Sequence, residues 1–197
     1  VVAGFQSNRT VTIVGAGGLT VATDNSDAAT NNEKRVLGNA ASDWVASYEL
    51  TATNEDFEVK DMTLTFSGDN TTNTVAAVKE VHVYADDKVT MLANEAVTTA
   101  AVNIADADFD EEFIVEVGSE NIYIKVLAER IGLNQAGVTA TGNHIASLAI
   151  AEAEGVDSGD DVPVTTTATA STQFDIYPNL VTVPTAASLS SSTLKNA

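Results

Sequence analysis

The chain has 197 residues, with 9 Lys and Arg against 28 Asp and Glu, a formal net charge of −19, no Cys, one Trp and two His. That charge argues against nucleic acid and anionic membranes as partners, since both are polyanions. The missing thiols exclude a disulfide framework, a thiolate metal site and a Cys nucleophile. No apolar run approaches the ~20 residues of a membrane helix, so the chain is not expected to insert in a membrane.

The β-branched residues Thr (25), Val (24) and Ile (9) make up 58 of the 197 residues, and hydrophobicity alternates with period two, the signature of half-buried strands. In residues 9–23, Val11, Ile13, Leu19 and Val21 fall on odd positions, with a glycine break at Gly15, Gly17 and Gly18. This is one long extended strand. Residues 24–39 are polar and lack periodicity, and predict a linking loop with a helical turn near Asn32–Leu37. Trp44, Ala46, Tyr48, Leu50 and Ala52 share a face. Phe57 and Val59 are odd but Met62, Leu64 and Phe66 are even, so the parity change at Lys60–Asp61 predicts a β-bulge.

Residues 67–73 (SGDNTTN) and 85–88 (ADDK) are turns around a strand with Val81, Val83 and Tyr84, and Val89–Leu92 returns. A short helix is expected near Asn94–Ala101. Phe113–Val117 and Ile122–Val126 alternate on either side of GSEN, which predicts a hairpin. Strands follow at Asn143–Ala151, Val162–Thr169 and Thr172–Tyr177, and turn signals recur at sandwich or barrel spacing. The fold class is all-β: an antiparallel sandwich of about ten strands, Ig-like or jelly-roll in type, with an N-terminal extended strand. The expected organisation is strand 1–23, linker 24–39, sandwich 40–183 and a small, polar tail 184–197. Val1 in place of Met is expected to reflect a removed leader.

The chemistry-bearing residues are mostly acidic. Asp106, Asp108 and Asp110 have the spacing that opens a calcium loop, but Glu111 and Val117 stand where an EF-hand needs Gly and Glu. Asp157 and Asp160 belong to a second cluster. These five are the candidate ligands for a structural Ca²⁺, against the plain alternative of solvated acidic loops; no other cofactor is expected. His82 and His144 lie on strands and form no trio with Asp and Ser, no nucleophile elbow is present, and GAGGLT at 15–20 lacks the ending of a phosphate loop. An enzyme is not expected. Asn8 and Asn70 head glycosylation sequons.

Three segments carry a resemblance: YELTATNEDFEVKDMTLTF (48–66), FIVEVGSENIYIKVLAE (113–129) and EGVDSGDDVPVTTTATASTQFDIYPNLVTV (154–183). They resemble the Ig-like β-sandwich modules of bacterial surface-layer-type and adhesin-like proteins. The layout, an extended strand before a sandwich, is similar to subunits of donor-strand-complemented pili. The resemblance implies an extracellular, cell-surface structural module. Its expected partner is a further copy of itself, with Val11, Ile13, Leu19 and Val21 inserted into a neighbour's sheet to make a head-to-tail filament or layer. The alternative is an adhesin-like or Ca-binding module of a larger surface protein.

Overall fold

The computed structural model describes residues 16–26, 34–68, 77–129, 143–162, 167–170 and 173–177. Thirteen strands occur among them: β1 (Gly18–Thr23), β2 (Lys34–Leu37), β3 (Ala46–Thr53), β4 (Phe57–Gly68), β5 (Val78–Tyr84), β6 (Met91–Ala96), β7 (Ala101–Ala105), β8 (Ile114–Val115), β9 (Gly118–Ala128), β10 (Asn143–Gly155), β11 (Asp161–Val162), β12 (Thr167–Thr169) and β13 (Phe174–Tyr177). One 3-10 turn, Asp106–Asp108, follows β7.

The strands form two sheets. The first has the order β1-β3-β9-β5-β6, antiparallel throughout. The second is centred on the antiparallel pair β4–β10. β7 and β8 flank β4, and β11, β12 and β13 pair with successive stretches of β10. β2 runs parallel to β13. The architecture is an all-β sandwich, with that parallel pair as a departure from the antiparallel expectation. Most of the chain separates β2 from β13, so no hairpin forces them into opposite directions.

Alternation decides which face each strand buries. Ala46, Tyr48, Leu50 and Ala52 of β3, Ile122, Ile124 and Val126 of β9 and Val81 and Val83 of β5 line the inner face of the first sheet. Phe57, Val59, Met62, Leu64 and Phe66 of β4 meet them from the second, with Ala146, Leu148 and Ile150 of β10. Phe66 packs edge-on against Phe174, centroids 6.2 Å apart, and buried His144 lies 5.3 Å from the same ring. The parity change in β4 is a register irregularity: Met62 pairs with Ile150, Asp61 with Glu152 and Val59 with Ala153, so Lys60 and Ala151 are passed over. Both halves of β4 thereby keep their apolar residues inward.

Three local expectations are corrected. Lys34–Leu37 is a strand, not a helical turn, with Val36 buried between exposed Arg35 and Leu37. Asn94–Ala101 holds the end of β6 and the start of β7, not a helix. GSEN is not a hairpin loop. Gly118, at φ +129°, turns the chain out of β8 in the second sheet and begins β9 in the first. A residue with a side chain is strained at that φ.

The Tyr48 hydroxyl is buried in this core and has no hydrogen-bond partner among the described residues; burial pushes its pKa far up. An unpaired buried hydroxyl costs about 1–3 kcal/mol. Tyr48→Phe is therefore expected to match or exceed the parent in thermal unfolding. A clear fall in melting temperature would show that the hydroxyl holds a partner.

Candidate functional site

The segment singled out for assembly enters the described structure at Ala16. β1 pairs antiparallel with β3 from Gly18↔Thr53 to Thr23↔Tyr48, and Leu19 and Val21 are 4% and 6% exposed. In the single chain these two residues fill their own core, because pairing there covers the edge of β3 and buries two aliphatic side chains together. Val11 and Ile13 lie outside the described residues, as do Asn8 and Asn70.

Side chains clasp β1 at both ends. The Thr53 hydroxyl donates to the Gly18 carbonyl (3.1 Å) and the Asn54 amide to the Ala16 carbonyl (2.9 Å). At the far end the Thr23 hydroxyl donates to the Thr169 carbonyl of the second sheet (2.7 Å), and the Asp24 N–H donates to the Ser47 carbonyl. Residues 53–56 also gather the rest of that pole. Glu55 accepts from the Ser158 N–H (3.0 Å) and hydroxyl (3.1 Å). The Asp56 carboxylate accepts from the Val117 N–H (2.7 Å) and its carbonyl from the Val156 N–H (2.9 Å). Asn54 sits at φ +71°, a conformation asparagine tolerates better than most residues.

The five candidate calcium ligands are all exposed and belong to two separate turns. Asp108 accepts the Ala105 N–H (2.9 Å) at the start of the 3-10 turn, and the Asp110 N–H donates to the Leu92 carbonyl (2.8 Å). Asp157 and Asp160 lie in the turn after β10, where the Asp160 carbonyl accepts the Gly155 N–H (3.0 Å). Asp106 is 3.9 Å from the Lys60 ammonium, which also contacts Glu58. Glu58 faces Glu154 across β4–β10, a like-charge pair that Lys60 relieves. Its hydrogen bond to Glu58, helped by the charges of Glu58, Asp106 and Glu154, raises the lysine pKa. Among the described residues no group of three or more His, Asp or Glu is placed to hold a metal ion.

An aromatic and lysine cluster escaped sequence reasoning. Trp44 was expected on the core face with Tyr48, but β3 becomes regular only at Ala46, and the indole turns to the outer side. It meets Tyr84 edge-on at 5.1 Å and Tyr123 at 5.5 Å. Lys125 lies 4.0 Å above the Trp44 ring and 5.5 Å from Tyr84, and Lys88 is 4.2 Å from Tyr123. The available signal was parity: Tyr84 and Tyr123 are out of phase with Val81 and Val83 and with Ile122 and Ile124.

Asp86, Glu116, Val117, Ser119 and Glu120 line an open cleft of about 370 Å³. Burial pushes the Glu120 carboxyl above its ordinary range, and the charges of Asp86 and Glu116 push it the same way. A carboxyl whose pKa is raised by folding opposes folding when ionised, and the penalty fades as pH falls through the raised value. Glu120→Gln should therefore raise stability at neutral pH. Denaturant titrations should show that gain vanishing below the usual glutamate value of about 4.3; a gain independent of pH would count against the ionised carboxylate as its source.

No protein-family model matches the sequence, and no curated protein matches it. Among solved structures, the adhesive subunit CfaE of the CFA/I fimbria of enterotoxigenic Escherichia coli is similar at 12% identity and a TM-score of 0.37, over 81% of this chain and 48% of that one. A family 123 glycoside hydrolase from Clostridium perfringens is similar at 8% identity and a TM-score of 0.32, over 83% of this chain and 27% of that one. AvmM, which catalyses macrocyclization in alchivemycin A biosynthesis, is similar at 7% identity and a TM-score of 0.30, over 85% and 92%. The chain thus spans about half the length of the fimbrial subunit. Scores this low single out none of the three as a relative.

Proposed function

We propose that the chain is a structural, non-enzymatic module of an extracellular assembly, whose copies link head to tail by exchanging the N-terminal strand. One observation carries the reading. Among the described residues β1 pairs with β3 alone in the first sheet, and it supplies two buried side chains to the core. A neighbour's β1 in the same seat makes the same ladder and the same burial, so exchange forfeits no contact. The polar stretch 24–33 between β1 and β2 supplies reach. Made head to tail and not reciprocally, such a contact is heterologous and propagates. The acidic, Thr-rich, Cys-free composition suits a cell-surface location, and net negative charge keeps assembled fibres from adhering laterally.

The absence of Cys makes a direct test available. Thr20 and Thr51 are Cα partners in the β1–β3 register. A Thr20→Cys/Thr51→Cys variant, oxidised after assembly, should run as a ladder of covalent multimers on a non-reducing gel. A single monomer band with the bond inside one chain would refute strand exchange.

A further inference from the structure

The Asn54-Glu55-Asp56 run lies within the segment that resembles adhesin-like modules, and its geometry gives it a task beyond turning the chain. β1 alone has a weak hold on its register. In the sequence, the parity of Gly17, Leu19 and Val21 runs back through Gly15, Ile13 and Val11, all small or aliphatic, so a slip of two residues preserves the alternation. Something else must choose among registers two apart.

Residues 53–57 make that choice. A Cβ placed on Gly17 would lie 2.5 Å from Glu55 Oε1 and 2.7 Å from Phe57 Cζ. Withdrawal of either group is opposed. Phe57 is fully buried, and Glu55 is tied to Ser158 by two hydrogen bonds and backed by Gly155, where a Cβ would lie 2.6 Å from Glu55 Oε2. Thr53 and Asn54 meanwhile take the carbonyls of Gly18 and Ala16, on either side of Gly17. A slip that carries Leu19 into the place of Gly17 drives a leucine side chain into Glu55 and Phe57. The opposite slip puts Gly15 there without a clash, but sets Gly17 in the buried place of Leu19 and leaves that part of the core unfilled.

We infer that the Thr53–Phe57 segment is a register-setting receptor for the N-terminal strand: it reads two backbone carbonyls and requires a residue without a side chain between them. Its fitting partner is the N-terminal strand of a second copy, a clause that rests on the exchange proposed above. Glu55 acts as a positioning residue that excludes the slipped strand.

Two disulfide reporters test this in the full chain. Thr20→Cys/Thr51→Cys reports the native register; Ala22→Cys/Thr51→Cys reports the slip that brings Leu19 to the place of Gly17. With Glu55 intact, the first pair is expected to form and the second not. Glu55→Ala, which removes one of the two blocking groups, should lower the 20–51 yield and let a minor 22–51 bond appear, since Phe57 still opposes the slip, whereas Glu55→Gln, which keeps the bulk, should stay in the native register. Should Glu55→Ala not fold, Asn54→Ala replaces it, with a lower 20–51 yield expected. A 20–51 yield unchanged in both variants, with no 22–51 bond, overturns the register role. Mapping the bonds within or between chains separates the two ideas: Glu55-dependent bonds confined to single chains keep the receptor and remove exchange, while a ladder indifferent to Glu55 and Asn54 does the reverse.

Discussion

The structure depends on the long antiparallel pair of β4 and β10. It is the spine of the second sheet, and its inward side chains from Phe57 to Phe66 and from Ala146 to Ala153 supply much of the shared core. The register irregularity near Lys60 is what allows so long a pair to stay amphipathic. Without it, one half of β4 would present its apolar residues to water. Every other strand of that sheet attaches to one side or the other of this pair, except β2, which joins through β13.

Charge is the second organising constraint. With 28 acidic and 9 basic side chains, most carboxylates have no lysine to meet, and the fold places its scarce cations where they do most. Lys60 stands beside Glu58 near the facing Glu154, and Lys79 pairs with Glu80 at 2.9 Å. Lys88 and Lys125 lie on aromatic rings. Other carboxylates are satisfied by backbone and hydroxyl donors instead. Asp87 accepts from Val89, Thr90 and the Thr90 hydroxyl and so closes the β5–β6 turn, which holds its pKa below the usual range. Acidic residues thus serve as hydrogen-bonded turn formers in this protein, and Asp108, one of the candidate calcium ligands, is used in this way.

The pole formed by residues 16–18, 53–56, 117 and 155–158 joins these themes. Two carboxylates and two small polar side chains hold four chain segments there through backbone groups. The N-terminal strand is held at this pole through its backbone carbonyls more than through side-chain identity. The close approach at Gly17 is the exception, and it is steric.

Much of the fold was legible in the sequence because strand burial has period two, and β3, β4, β5, β9 and β10 keep that period over many residues. The bulge was legible for the same reason, as a change of phase. What escaped lay where the period is too short to see or is overruled. β2 and β8 are too brief to alternate convincingly. GSEN has turn composition, yet Gly118 uses its freedom to cross between sheets and not to reverse within one. Trp44 continues the parity of β3 in the sequence but sits before the regular strand begins.

The candidate site divides along the same line. An extended, glycine-broken N-terminal strand with aliphatic alternation is written locally, in Leu19 and Val21 and the glycines before them. Its seat is not, because that seat is assembled from residues up to 141 positions away: Gly17 meets Glu55, which is held in turn by Ser158 and Gly155. The sequence by itself determined an acidic, cysteine-free all-β chain and which residues each long strand turns inward. Only the tertiary structure decided which carboxylates meet donors and which strand edges meet partners, since those contacts depend on distances between segments that no local pattern encodes.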